Sequence, residues 1–367
     1  MTRRSRDQVE ELLGRAVASG VVPGAVAVWG TPGAQPRSAT VGRSRLRPRP
    51  MAADPETWFD LASLTKPLVV TTLSLMAIRS GLLGADTPAC EALPEARSSA
   101  LAGATIRHLL SHSSGLPAWR PLYALARGPD EAVDAILRMP VGAAPGADVV
   151  YSCLDFILLG VILERVFEET LDRAFDRLVV QPLGLRSEIG FLPDTDRHRV
   201  AGGATVAAVE HEMTEKCGHD PDLVPPVGSG APDDGNARFL GGVAGNAGLF
   251  GTGRGVYELA AEYLPGGGRL LGADDAAAAT AIVAAGSGQV RGLGWQVASS
   301  PGCSAGPGLS RAAIGHTGFT GTSVWVEPER LLTLVLLTNR HHPAHHTIDL
   351  HPLRRRFHAL AVQDLVS

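Results

Sequence analysis

The chain reads as an α+β protein, with an antiparallel sheet built from its N- and C-terminal segments, flanked by helices, and a mainly helical stretch inserted between them. Strand patterns lie at both ends of the 367 residues and helical patterns fill the middle. A Gly/Pro-rich turn, Thr31 to Pro36, also joins the first two strand patterns into a hairpin-like pair. One domain is expected, with an α/β body over approximately 1–80 and 240–367 and a helical subdomain over approximately 81–239.

Taken in order, residues 7–19 predict a first helix, and Val21 to Trp29 and Ser38 to Gly42 predict paired strands. Arg43 to Pro50 is basic and broken by proline, and reads as a solvated connector. Ser63-Leu64-Thr65-Lys66 follows the apolar lead-in Trp58 to Ala62 and opens a long apolar run to Ile78, ended by Ser80-Gly81. That segment predicts one buried helix with the tetrapeptide in its first turn. Helical patterns follow at Ile106 to Leu110, Pro129 to Met139, Leu154 to Glu169 and Thr170 to Val180, and Pro221 to Gly235 reads as a long loop. After a helix from Arg254 to Tyr263, strands are predicted at Leu293 to Ala298, Ala312 to His316, Thr322 to Glu327 and Leu331 to Thr338, then a last helix from Pro352 to Val362. No internal repeat is visible.

Composition excludes several classes. Hydrophobic content of 45%, charged content of 19% and a formal charge of −4 fit a globular protein and give no support for nucleic-acid or acidic-membrane binding. Four cysteines (Cys90, Cys153, Cys217 and Cys303) stand far apart without a C-x-x-C pair, so neither a zinc site nor a disulfide framework is indicated. The basic N-terminus is followed by the acidic, amphipathic Asp7 to Leu13 rather than an apolar signal core, and no run reaches the length of a membrane span. A cytoplasmic protein without metal or organic cofactor is expected, with export open if translation starts upstream.

The chemistry concentrates in three places. All but two of the 33 basic Lys and Arg residues are arginines, the exceptions being Lys66 and Lys216. Arginine keeps its proton in proteins, so it cannot stand in for a lysine whose task is to be a base. Ser63 and Lys66, three apart on a helix, share a face, and a serine hydroxyl needs such a neighbour to become a nucleophile. The lysine serves as a base only where desolvation or nearby charge keeps it neutral, and an apolar helix body and the positive end of its dipole both push that way. Tyr151, one of four tyrosines, sits at a loop-to-helix junction before Leu154 to Gly160, where a phenol near a lysine can shuttle a proton. Gly315-His316-Thr317-Gly318-Phe319-Thr320-Gly321 ends one predicted strand and precedes another. Its glycines let backbone run close beside a ligand, and its N–H groups can supply half of an oxyanion hole, with the Ser63 N–H as the other half.

Ser-x-x-Lys, then Tyr-Ser-x, then His-Thr-Gly, in that order, resembles the serine β-lactamase and penicillin-binding superfamily, and more closely its class C β-lactamase-related branch of esterases and D-aminopeptidases. Leu109 to Pro117 is similar to that branch's LLTHTSGLP segment. Asn236 to Phe250 and Leu337 to Pro343 are similar to stretches of one bacterial subgroup. The likeness runs from about residue 10 to 362. It implies a β-lactamase/transpeptidase-like fold, with Ser63 acylated, Lys66 accepting its proton, and Tyr151 relaying that proton to the leaving group and later activating water. It also implies that Cys153, His316, Thr317, Gly318 and Phe319 line the substrate site, with the Phe319 N–H completing the oxyanion hole.

Two residues depart from the pattern. Cys153 replaces an Asn or Asp that hydrogen-bonds substrate amides and the lysine, which a thiol does only weakly. His316 replaces a lysine and removes a permanent charge facing a substrate carboxylate. Both tilt the expected substrate towards a small ester or related acyl group. D-aminopeptidase, DD-peptidase or weak β-lactamase activity, acyl transfer, and a ligand-binding pseudoenzyme of the same fold are the alternatives. Other features read as non-functional. His341, His342, His345, His346 and His351 form a histidine-rich loop without fixed ligand geometry, His211 to Glu215 lacks the second histidine of a zinc-protease helix, and Gly266-Gly267-Gly268 lacks a phosphate-loop context. The absence of a Gly-x-Ser-x-Gly elbow removes the α/β-hydrolase alternative.

Overall fold

The structure, a computed structural model, describes residues 5–228, 230–344 and 348–366. Twelve strands are found among them: β1 (Gly24–Gly30), β2 (Arg37–Arg45), β3 (Met51–Ala52), β4 (Phe59–Asp60), β5 (Ile189–Phe191), β6 (Leu249–Gly251), β7 (Ala284–Gly286), β8 (Gln289–Arg291), β9 (Gln296–Val297), β10 (Ile314–Thr317), β11 (Ser323–Glu327) and β12 (Leu332–Thr338). Nine of them form one sheet in the order β3-β2-β1-β12-β11-β10-β9-β8-β7, every neighbour pair antiparallel. The central pairing of β1 with β12, Ala25 opposite Thr338 and Gly30 opposite Thr333, joins the two ends of the chain as the sequence predicts.

The sheet is covered on both faces, which is why its central strands β1, β11 and β12 are buried throughout and largely apolar rather than alternating with exposed polar residues. Successive side chains still point to opposite sides. Val26, Val28, Val324, Val326, Val335 and Leu337 enter one core with Leu68, Val69 and Leu73 of the segment that follows Ser63. Ala25, Ala27, Trp29, Trp325, Leu334 and Leu336 enter a second core with Val9 and Leu13 of the N-terminal helix, Ser5–Ala18, and Phe357 and Leu360 of the C-terminal helix, His351–Val366. The site lies on the first face. Period 2 along β10 puts His316 on the same side as Ile314, which belongs to that first core.

Several expectations change in detail. Instead of one α-helix, the segment around Ser63 is a 3₁₀ turn (Ala62–Leu64), a π-helical turn (Lys66–Thr71) and an α-helix (Thr72–Arg79). Pro67 sits at its start, where a missing N–H costs no hydrogen bond. The strand pattern at Leu293 to Ala298 shrinks to the two residues of β9, and the hairpin β7–β8 and the three-stranded sheet β4-β6-β5 were not foreseen. These strands are two or three residues long, too short to show a period. The basic connector after Gly42 is partly strand, since β2 continues to Arg45 and pairs with β3.

Candidate active site

Three segments from distant parts of the chain converge on a cleft of about 830 Å³, lined by Ser63, Tyr151, Cys153, His316, Thr317, Gly318 and Phe319 among others. Ser63 stands on a turn that its neighbours hold firmly. Ala62, just before it, has φ 48°, a left-handed conformation unusual for a residue with a Cβ. The carboxylate of Asp60 accepts the Ala62 N–H at 2.8 Å and the Asp233 N–H at 2.7 Å. The Thr65 hydroxyl donates to Ala62 O at 2.6 Å and accepts the Leu249 N–H at 3.1 Å, tying the turn to β6. Burial and the neighbouring Asp233 push the Asp60 carboxyl up to about 7.

Lys66 lies beneath the serine, wholly buried. Its Nζ donates to Ser63 Oγ at 3.1 Å and to Asn246 O at 2.9 Å, and sits 5.1 Å from the centre of the Tyr151 ring and 6.0 Å from that of Phe156. Burial pulls the ammonium down, while the ionised forms of Cys153 and Tyr151 push it up, and the net direction is above the ordinary lysine value. The expectation that an apolar helix body and the positive end of its dipole leave the amine neutral is corrected here, because Cys153 and Tyr151 bring two acidic groups against it. Burial raises Tyr151 and Cys153 in turn, against the pull of Lys66 on both. The three groups therefore share protons as a unit.

Tyr151 precedes the helix Cys153–Phe167, whose N-cap is Ser152: its hydroxyl accepts the N–H groups of Leu154 at 3.2 Å and Asp155 at 3.4 Å. On the opposite wall, β10 ends in a loop that approaches the serine turn closely. A Cβ on Gly318 would stand 2.1 Å from Thr322 Oγ1 and 2.7 Å from Leu61 O, so only glycine fits. Thr320 Oγ1 donates to Asp60 O at 2.7 Å, joining the two sides. His316 is buried, and desolvation with the nearby Arg291 and Lys66 drives its imidazole well below the ordinary value. It is a neutral ring whose Nδ1–H donates to Thr317 O at 2.9 Å.

The sequence reading missed residues that complete this surface. Arg291, at the end of β8, is buried in the cleft with its guanidinium carbon 5.2 Å from the Tyr151 ring centre. Its donors engage Gln289 Oε1 at 3.0 and 2.6 Å, and burial lowers it to about 10. Arg354, from the C-terminal helix, donates to Gly318 O at 3.2 Å and Thr322 O at 3.0 Å and holds the β10 loop. The cleft thus carries cations despite the neutral His316. Among so many arginines nothing in the sequence marks these, and the Asn246 carbonyl is a main-chain atom that any residue supplies.

The histidine-rich loop does not gather into one cluster among its described members. His342 Nε2 accepts the Leu46 N–H at 2.8 Å and its Nδ1 donates to Gly203 O at 2.8 Å, while His341 packs on Phe319 with ring centres 4.3 Å apart. His345 and His346 lie outside the described residues.

A family model described as Beta-lactamase matches residues 9–359. A curated Escherichia coli (strain K12) protein named "Putative D-alanyl-D-alanine carboxypeptidase" is 30% identical over 330 residues, spanning 82% of this chain and 73% of that protein. Among solved structures, EstCE1, described as a hydrolase with promiscuous acyltransferase activity, superposes with TM-score 0.74 at 25% identity, covering 97% of this chain and 98% of its own. A penicillin-binding protein homologue from Caulobacter crescentus superposes with TM-score 0.76 at 21% identity, over 99% and 98% of the two chains.

Proposed function

The chain belongs to the beta-lactamase family and has the fold of its serine hydrolases, and on that premise we propose that it hydrolyses a small ester or related acyl substrate through an acyl-enzyme on Ser63. The observation that carries the reading is the buried Lys66 amine, 3.1 Å from Ser63 Oγ and against the Tyr151 ring. Ser63 Oγ attacks the carbonyl carbon and gives its proton to the Lys66–Tyr151 pair. The oxyanion forms between the N–H groups of Ser63 and Phe319, and each such donor is worth roughly 3–4 kcal/mol in the transition state. Tyr151 returns the proton to the leaving alcohol as the C–O bond breaks. Water then attacks the acyl carbon and loses a proton to the same pair, which returns it to Ser63 Oγ as the bond from that oxygen to the acyl carbon breaks and the acid leaves. His316, Thr317 and Gly318 line the strand along which the acyl group lies, and the Cys153 thiol, a weak partner for a substrate amide, favours esters.

One observation favours a second reading, a carboxypeptidase that removes a terminal D-alanine. Arg291 supplies a buried guanidinium on the Tyr151 side of the cleft, suited to a terminal carboxylate, and the Escherichia coli relative bears the name of such an enzyme. A panel of p-nitrophenyl acetate, a D-alanyl-D-alanine peptide and a chromogenic cephalosporin separates the readings. A p-nitrophenol burst with steady turnover, lost in Ser63→Ala, supports the ester reading, and faster release of D-alanine supports the second. Absence of both burst and turnover on every substrate overturns both and leaves a ligand-binding protein of the same fold.

A further inference from the structure

The segment Leu109 to Pro117, singled out in the sequence only by resemblance, runs alongside the loop that presents Tyr151. His112 is its centre. It is buried, and its φ of 58° is left-handed, a backbone that turns its carbonyl and its side chain towards the same strand of chain. The His112 carbonyl accepts the Val150 N–H at 2.9 Å. Its Nδ1 accepts the Ser152 N–H at 3.0 Å. Those are the two residues flanking Tyr151, and the imidazole packs against the phenol ring between them, with centres 4.7 Å apart. Further hydrogen bonds tie the two segments together: Gly146 N–H to Ser113 O at 2.7 Å, Ser152 Oγ to Pro117 O at 2.8 Å and Cys153 N–H to Ala118 O at 2.8 Å.

We propose that His112 is the positioning residue for Tyr151, fixing the phenol over Lys66 by accepting from the backbone on both sides of it. The inference rests on the role given to Tyr151 above. The contact requires a neutral imidazole with its proton on Nε2, since Nδ1 must offer a lone pair to Ser152. Burial and the charges of Arg291, Lys66 and His316 favour that form by holding the ring well below its ordinary value. Asp155 faces the ring too, with Oδ2 3.7 Å from Nδ1, and burial pushes its carboxyl well above its ordinary value, which disfavours a negative charge beside the imidazole. A misplacement of the phenol by an ångström is enough to cost about a hundredfold in rate.

Two substitutions separate the acceptor from the ring. In His112→Asn, the Oδ1 stands where Nδ1 stands, and asparagine tolerates the left-handed backbone. In His112→Phe, the ring remains but the acceptor is gone. With p-nitrophenyl acetate, and with folding checked by thermal melting, the Asn variant is expected to keep kcat within about threefold, while the Phe variant loses about 10- to 100-fold in kcat at little-changed KM. Wild-type kcat in the Phe variant, or an Asn variant as impaired as the Phe variant, overturns the proposal. Should the Phe variant not fold, the Asn variant decides alone: near wild-type kcat supports the proposal and a hundredfold loss overturns it. Tyr151→Phe is the reference. Full activity there would remove the role of Tyr151 itself, a failure distinguishable from that of His112.

Discussion

Half-buried Ser63 and Tyr151 stand beside the buried Lys66 and Cys153, and the protonation of Lys66, Tyr151 and Cys153 is shared among the three. Lys66, Tyr151 and Cys153 are all held above their ordinary values, so at neutral pH the cluster carries its full complement of protons. Accepting the Ser63 proton requires one of them to leave first. Turnover should therefore keep climbing with pH through neutrality to about 9 and beyond without a plateau, because the deprotonated cluster is the active form and groups raised above ordinary values of 9.0, 10.0 and 10.5 keep it scarce below that. A rate independent of pH over that range would contradict the shared-proton account. Lys66→Arg keeps the charge and loses the ability to give up a proton, so kcat/KM should fall by about 10²–10⁴-fold, measured against active sites titrated in the wild type. The rarity of lysine made this residue legible in the sequence. Arg291 was hidden because arginine is everywhere in the chain, and Asn246 because its contribution is a carbonyl.

At the scale of elements, the lysine is seated by a close approach between the helix Cys153–Phe167 and the glycine-rich segment before β6. A Cβ on Gly245 would stand 1.9 Å from Phe156 O, and one on Gly160 would stand 3.0 Å from Gly245 N, so the two glycines let helix and segment touch. Asn246, whose carbonyl receives Lys66, is the next residue. Gly245→Ala must move that carbonyl or the helix that carries Cys153. The expected outcome is a destabilisation of about 1–3 kcal/mol by thermal melting, typical of overpacking, together with a fall in kcat. Unchanged stability and kcat would show that the contact is not needed. The sequence displayed the glycines but not their partner, because the close approach joins residues far apart in the chain. For the same reason β4, β5 and β6 were not foreseen: each is held by pairing with a distant strand, and its own residues show no alternation.

Across the whole molecule, the sheet separates two cores that serve different ends. One carries the cleft. The other is built by the first and last helices, which lock onto the far side through Trp29, whose Nε1–H donates to Asp364 at 2.9 Å, and through Phe357, packed edge-on against Trp29 at 6.1 Å. The long apolar runs at both ends of the chain made this closure readable in advance, since only mutual pairing buries them. Phe357→Ala should cost about 3–5 kcal/mol of stability while leaving kcat per titrated active site unchanged, because Phe357 belongs to the core across the sheet from the serine. A specific loss of kcat in the folded variant would mean that the two faces are coupled. The measurement that bears most directly on the account is peptide mapping by mass spectrometry of enzyme quenched during turnover of p-nitrophenyl acetate. The account predicts a single acetyl group on the peptide bearing Ser63, absent from Ser63→Ala. An acetyl group on Cys153, or steady turnover with no adduct at Ser63, would contradict it.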